Sequence, residues 1–295
     1  MPEAAFLAVD WGTTNRRVYA IDADGTVVAG ERDDRGLTAV GAGGFPAEAA
    51  AIRARLGDLP MLCAGMVGSA RGWVLAPYRP CPADLTELAA GLHWIDPRTA
   101  IVPGLSCRTA RGGDVMRGEE VQFLGSVAAG LAPADALLCQ PGTHCKWARI
   151  GGGRVESFRT TMTGELFALL RRDSLLAEFL AGEVADGAAF SEGLTAARDA
   201  TLLGDLFGVR AEVLLGLRAG DDAAAYVSGL LIGSDVREQA LHPGERVYVL
   251  AEPGLGELYA AALAAAGARP SPIDSQTAFV AGVTEIWRRA DGFEG

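Results

Sequence analysis

Lysine is what this sequence lacks most: of 26 basic residues only Lys146 is a lysine, the other 25 being arginines. The lone survivor of so strong a bias is a candidate for a role. Histidine is scarce too, and the three, at positions 93, 144 and 242, stand too far apart along the chain to suggest a histidine metal site. Five cysteines, at 63, 81, 107, 139 and 145, are odd in number and contain no Cys-x-x-Cys pair. That pattern excludes a disulfide framework and a zinc site, and leaves buried or free thiols in a reducing cytoplasm. No apolar run approaches the roughly 20 residues that span a bilayer. The stretch from Val127 to Cys139 is interrupted by Pro133 and Asp135. Met1-Pro2-Glu3-Ala4 lacks the basic start of a secretory leader, so a cytoplasmic protein with no membrane partner is expected. Excess positive charge is also missing. A net charge of -11 argues against a nucleic-acid partner, and it means that an anionic ligand needs a local positive site.

What is present is apolar bulk. With 295 residues, 49% of them hydrophobic, the chain supports two lobes or one large α/β domain. Phe6-Leu7-Ala8-Val9 reads as a short strand, and Arg17 to Ile21 alternates as a second. Asp22-Ala23-Asp24-Gly25 is a tight turn into a third, Thr26-Val27-Val28. Pro46 to Leu56 suits an amphipathic helix with Glu48, Arg53 and Arg55 outward, and Met61 to Ala64 is the next strand. The same grammar returns later. Leu137-Leu138-Cys139 is followed by a bend at Gln140 to His144, a strand from Lys146 to Ile150, a Gly151-Gly152-Gly153 turn and a strand from Arg154 to Phe158. Two hairpins, with Gly12-Thr13 and Gly142-Thr143 at their bends, predict a duplicated architecture. Helical spacing covers Gly164 to Leu180, with Thr163 as N-cap, then Ala223 to Ala240, Gly256 to Ala266 and Thr277 to Ala290. A buried strand from Arg246 to Ala251 lies among them, and strand–helix alternation argues for mixed sheets.

The bends carry the chemistry. In VDWGTTNRRVYAID, residues 9–22, a strand ends in Asp10 and turns through Gly12, Thr13 and Thr14. Successive backbone N–H groups at such a bend make a concavity for an anion, and the threonine hydroxyls add donors. Asp10 cannot bind phosphate, but it can hold Mg²⁺, which accepts one or two carboxylates together with phosphate oxygens. The second bend offers Gly142, Thr143 and Lys146 to the same phosphates. Phosphoryl transfer asks the protein mainly for alignment and charge neutralisation, which two phosphate loops and a metal can meet. The bland alternative, a capped hairpin with threonines filling its turn, suits either bend alone better than the pair.

A proton acceptor for an attacking alcohol is offered by Glu119 and Glu120, at the start of an apolar helix after a loop of Gly112 and Gly113. An N-terminal acidic turn favoured by the helix dipole is the structural alternative. Arg117 beside them presents a planar fork to a substrate carboxylate, a role for which Arg16, Arg71 and Arg108 also remain open. Met66, Gly68, Ser69, Trp73 and Tyr78 lie in a glycine-, proline- and aromatic-rich segment able to shape a pocket for a small polar molecule. His144 is either a turn residue or a phosphate or substrate contact.

Several segments resemble the 2-dehydro-3-deoxygalactonokinase family, a branch of the sugar kinase, heat-shock chaperone and actin superfamily. They are AVDWGTTNRRVY at 8–19, AGMVGSARGWVLAPY at 64–78, VMRGEEVQFLG at 115–125, PGTHCKW at 141–147, FRTTMTGELFALL at 158–170, SGLLIGSDV at 228–236 and TAFVAGV at 277–283. PGTHCKW and MRGEE are specific to that family. The resemblance implies two actin-like (ribonuclease H-like) α/β lobes, each with a mixed five-stranded sheet flanked by helices, closing over Mg-ATP in a cleft. Residues 1–130 would form the lobe with the substrate side and first phosphate segment. Residues 131–295 would carry the second phosphate and adenosine segments, with the last helix, about 277–290, at the lobe interface. The implied activity transfers the γ-phosphoryl group of ATP to the 6-hydroxyl of 2-dehydro-3-deoxy-D-galactonate, and a homodimer is compatible with it. By motif, Asp10 to Asn15 is the first phosphate segment, Gly142 to Lys146 the second, and Glu252 to Gly256, centred on Gly254, the adenosine segment. Glu252-Pro253-Gly254 departs from the small residues usual there, and two glutamates replace the aspartate base of many superfamily sugar kinases; of these Glu119 is preferred. The rival readings are a phosphohydrolase of the exopolyphosphatase type, in which water replaces the alcohol, and a nucleotide-binding protein without catalysis.

Overall fold

The computed structural model of the chain describes residues 3–109 and 112–293; Met1 and Pro2, read above for a leader, lie outside that range. The chain falls into two compact units, one taking in Met1–Asp135, Ala148–Phe158 and Asp274–Gly295, the other Ala136–Trp147 and Arg159–Ile273.

The first unit opens with strands β1 (Phe6–Trp11), β2 (Arg16–Ile21) and β3 (Val27–Asp33), then helices α1 (Leu37–Val40) and α2 (Phe45–Leu56) and strand β4 (Met61–Gly65). A short β5 (Arg79–Pro80) and helix α3 (Leu85–Ala90) lead to β6 (His93–Asp96), β7 (Thr99–Ile101), β8 (Leu105–Thr109), β9 (Gly112–Met116) and helix α4 (Glu119–Ala128). The main sheet has the order β3-β2-β1-β4-β7-β6. β1 is antiparallel to β2 and parallel to β4, and β4 is parallel to β7. β1 and β4 are central because they are apolar on both faces, as a strand covered above and below requires. The expected five strands become six. β6 adds antiparallel to β7 through a turn that Asp96 ties by accepting from the Arg98 amide at 2.8 Å and from Thr99 Oγ1 at 3.0 Å. A four-residue strand with a shifted register is too short to show a period.

β5, β8 and β9 form a separate three-stranded sheet. Gly112 and Gly113, expected in a loop, belong to β9, whose pairing of Met116 with Leu105 delivers the chain to Arg117 at the head of α4. The last helix (Ser275–Arg289) crosses α4 backbone to backbone. A Cβ on Gly125 would stand 1.9 Å from the Ala278 oxygen, and one on Gly282 2.1 Å from that of Val121. Core side chains include Leu7, Val9, Trp11, Phe45, Ile52 and Met61.

The second half of the chain contains β10 (Ala136–Gln140), β11 (Cys145–Gly151), β12 (Arg154–Thr161), α5 (Thr163–Asp173), α6 (Ala188–Ala196), α7 (Leu202–Leu214) and α8 (Ala223–Arg237), then β13 (Arg246–Leu250), α9 (Leu255–Ala265) and β14 (Arg269–Ile273). Its sheet runs β12-β11-β10-β13-β14, with β10, β13 and β14 parallel. Counted within each sheet, the second reads third-second-first-fourth-fifth and the first reads third-second-first-fourth-sixth-fifth, the same order once the added β6 is set aside. The α/β fold is therefore the ribonuclease H-like architecture that the resemblance implied, with the duplication that the two hairpins predicted.

Two local expectations need correction, and two helices went unread. The helix expected to reach Leu180 stops at Asp173, because the Ser174 backbone is extended and its hydroxyl donates to the Leu170 oxygen at 2.6 Å while accepting from the Leu176 amide at 3.0 Å. Met162, not Thr163, occupies the N-cap of α5; Thr163 is the first helical residue and its hydroxyl is engaged elsewhere. α6 and α7 had no clean amphipathic period, since Gly193, Gly204 and Gly208 interrupt it. Among the described residues no helix is long and apolar enough to cross a membrane. All five cysteines are free thiols, four of them buried.

Candidate active site

β1 ends in Asp10 and Trp11, and the chain turns through Gly12, Thr13, Thr14 and Asn15 into β2. The carbonyl side of this corner is saturated. Gly12 O accepts from the Leu37 amide at 3.0 Å, Thr13 O from the Thr38 amide at 3.1 Å and hydroxyl at 3.0 Å, and Thr14 O from the Gly36 amide at 3.0 Å. The Asn15 oxygen accepts from the Gly12 amide at 3.0 Å. With the oxygens turned inward, the exposed Thr13, Thr14 and Asn15 leave amides and hydroxyls for an outside acceptor. Gly36 makes this possible: a Cβ there would stand 2.3 Å from the Thr14 carbonyl carbon and 2.6 Å from the Thr13 oxygen.

Asp10 itself is largely covered, its side chain 16% exposed, with Arg17 Nη1 at 3.4 Å. Burial raises its pKa; Arg17 opposes that shift, and the nearby Glu119 charge adds to it. Because β1 and β4 are parallel, Asp10 and the turn after Gly65 share one sheet edge. The head of α4 comes to the same edge, since a Cβ on Gly118 would stand 3.1 Å from Gly65 Cα. Asp10, Glu119 and the segment from Gly65 are thus brought together.

The two glutamates differ sharply. Glu119 is half-buried and its Oε2 accepts from the Arg117 amide at 3.1 Å. Glu120 is fully buried, accepts from the Gly118 amide at 2.7 Å, and its Oε1 has no partner among the described residues. Burial, helped by the Glu119 charge, pushes its pKa up to about 8. Arg117 is 7% exposed. Its Nη2 donates to the Ala76 oxygen at 2.7 Å and its guanidinium lies over the Tyr78 ring at 4.4 Å. Nε and Nη1 have no partner among the described residues, and neither has the buried Ser69 hydroxyl. Gly68 is needed for this packing, since a Cβ there would stand 2.8 Å from Arg117 Nη1. Of the other arginines considered, Arg16 is held by Asp33 at 2.6 Å and Glu48 at 2.8 Å, while Arg71 and Arg108 are exposed. Trp73 stacks on Phe45 and Met66 packs against the same core, so both wall the segment from behind.

The second corner repeats the first. Gly164 plays the part of Gly36: a Cβ there would stand 2.3 Å from the Gly142 oxygen and 3.0 Å from Thr143 Cα. The Thr143 oxygen accepts from the Glu165 amide at 2.8 Å, as Thr13 O does from Thr38. Thr143 and His144 are exposed, and His144 Nε2 meets Glu165 Oε2 at 2.5 Å. Lys146 is buried in β11 and donates to Thr160 Oγ1 at 2.8 Å. Since β10 and β13 are parallel, the turn bearing Gly254 lies at the same sheet edge as Gly142 and Thr143. Gly254 takes a φ of 80° and opens α9 without a side-chain cap.

Gly36, Thr38, Gly164 and Arg17 had escaped sequence reasoning. For the glycines the only signal was their place after a third strand; their partners lie across the fold. Gly36→Ala is expected to displace the corner backbone, costing about 1–3 kcal/mol of stability. Thermal denaturation checks it, and an unchanged Tm would refute the buttress.

Residues 10–286 match the family model described as 2-keto-3-deoxy-galactonokinase. A curated relative from Rhizobium meliloti (strain 1021), provisionally named 2-dehydro-3-deoxygalactonokinase DgoK1, is 39% identical over 96% of each chain. The 2-dehydro-3-deoxygalactonokinase of Escherichia coli (strain K12) is 34% identical over 96% of this chain and 97% of its own. A crystal structure of a protein from Sinorhizobium meliloti provisionally given the same kinase name superposes with a TM-score of 0.89 at 38% identity, covering 96% of this chain and 98% of the other. With matches that run nearly end to end, the chain belongs to the 2-keto-3-deoxy-galactonokinase family.

Proposed function

We propose that this chain transfers the γ-phosphoryl group of ATP to the 6-hydroxyl of 2-dehydro-3-deoxy-D-galactonate, with Glu119 receiving the hydroxyl proton. The observation that carries the reading is Arg117, a buried guanidinium with two nitrogens unpartnered among the described residues, close to a carboxylate base. A cation kept dry and unsatisfied calls for an anionic partner, and a sugar acid offers a planar carboxylate suited to the fork. Ser69, Gly68 and Tyr78 would complete the pocket, with Met66 and Trp73 behind it.

The amides and hydroxyls of Thr13, Thr14 and Asn15, next to Gly12, would hold phosphate oxygens of ATP. Gly142 and Thr143 would hold others, with Lys146 and His144 nearby and Gly254 at the adenosine. Asp10 fits Mg²⁺ by its hard oxygens and its partly open side chain, and the metal, when bound, neutralises charge on the transferring group. Glu119 orients the 6-hydroxyl and takes its proton as the oxygen attacks phosphorus and ADP leaves. Excluding water from this site keeps the phosphoryl group for the sugar acid.

ADP release measured with 2-dehydro-3-deoxygalactonate, glucose or water alone as acceptor tests the proposal. Turnover is expected with the sugar acid only. Equal release in water would favour the polyphosphatase-type hydrolase, and no turnover with any acceptor would favour an inactive nucleotide binder. Arg117→Lys keeps the charge but loses the fork. It is expected to raise the sugar-acid KM by roughly 10- to 100-fold, the worth of a charged hydrogen bond, with the ATP KM nearly unchanged.

A further inference from the structure

Behind the second corner lies a buried carboxylate that the proposed chemistry leaves unused. Asp235 sits within α8, 4% exposed. Its Oδ1 accepts from Trp147 Nε1 of β11 at 2.9 Å. Its Oδ2 accepts from Thr163 Oγ1, at the head of α5, at 2.9 Å and from Tyr259 Oη of α9 at 2.7 Å. Gln239 Nε2 stands 3.5 Å from Oδ1 as a fourth, more distant donor; all of these donors are neutral, and no cation pairs with Asp235 among the described residues. Burying a charge this way is expensive, and an apolar side chain of similar volume would avoid the expense. What the carboxylate supplies is geometry: two oxygens that bind donors from three separate elements at once. An amide would keep one acceptor and turn an NH₂ toward a donor.

The three elements matter because two of them build the corner. β11 follows directly from Thr143 and His144. Thr163 is followed by Gly164, which packs on Gly142 and Thr143, and by Glu165, whose amide holds the Thr143 oxygen at 2.8 Å. We infer that Asp235 is a positioning residue for the second phosphate corner, tying Thr163 to Trp147 and so setting where Thr143 stands. This rests on the proposed role of Gly142 and Thr143 in holding nucleotide phosphates.

Calorimetric titration of the full chain with ADP tests the inference. Thr163→Val, which keeps the shape and removes the hydroxyl, is expected to weaken ADP about tenfold, and Asp235→Asn about 10- to 100-fold. Thr163→Ser restores the donor and should bind within twofold of the native chain. Ile232→Val, a core substitution on the same helix, should lower the Tm and leave ADP affinity unchanged, which separates positioning from stability. Thr143→Glu places a like charge at the corner and should abolish ADP binding. Native affinity in Thr143→Glu would overturn the phosphate reading and this inference with it. Loss there, combined with native affinity in Thr163→Val or a matching loss in Ile232→Val, would overturn the inference alone.

Discussion

Glu119→Gln is expected to lower kcat by about 10²- to 10⁴-fold, the range for losing a general base, with both KM values within a few-fold of native. The expectation follows from the contrast between two adjacent carboxylates. A base must be ionised at working pH and open to the substrate hydroxyl. Glu119 is half-buried, is held among the described residues by the Arg117 amide, and lies near enough to Asp10 for their charges to interact. Glu120 fails on both counts, being fully buried and raised to about 8 by that burial. Glu120→Gln is therefore expected to retain kcat within about tenfold. If Glu120→Gln shows the large loss and Glu119→Gln does not, the assignment of the base is wrong.

The second large effect is on stability. A carboxyl whose folded-state pKa is about 8, against an ordinary value of 4.5, keeps its proton in the folded chain while the unfolded chain releases it. Below about pH 4.5 both states are protonated and the group makes no difference. Between about pH 4.5 and 8 the folded state loses ground steadily, and above about pH 8 the deficit is constant. Glu120→Gln has the same shape, can still accept from the Gly118 amide and does not titrate. It is expected to match the native Tm near pH 5 and exceed it by several degrees at pH 9, a gain on the order of a few kcal/mol. A Tm difference that does not grow with pH would refute the picture of a buried, protonated Glu120. The same titration bears on catalysis, because Glu119 raises the Glu120 pKa. Glu119→Gln should accordingly narrow the pH dependence of stability as well as slow the reaction.

Much of the scaffold was legible in the chain. Phe6 to Val9 and Met61 to Gly65 are continuous apolar runs, and they became the two central strands of the first sheet because only a strand covered on both faces needs such a run. The turn at Asp22 to Gly25 follows from local chemistry: Asp22 Oδ1 accepts from the Asp24 amide at 3.0 Å and the Thr26 amide at 2.8 Å, and Gly25 takes a φ of 90°. Repetition of the hairpin grammar foretold a duplicated architecture. Where the evidence was a short register-shifted strand, as at β6, or a helix ended by a serine hydroxyl, as at Ser174, periodicity ran out.

The site divides in the same way. Sequence alone determined the duplicated hairpins, the glycine–threonine bends and the carboxylates at the ends of apolar elements, because each depends on neighbours a few residues away. Only the tertiary structure decided which glutamate is buried, that the Arg117 guanidinium keeps two nitrogens without a partner among the described residues, and that Gly36 and Gly164 press against the bends. Those properties arise from dielectric surroundings and backbone contacts between residues remote along the chain: Arg117 against Ala76 and Tyr78, Thr38 against Thr13, Asp235 against Trp147 and Tyr259. Proximity of that kind sets the electrostatics of the site, and no spacing of letters encodes it.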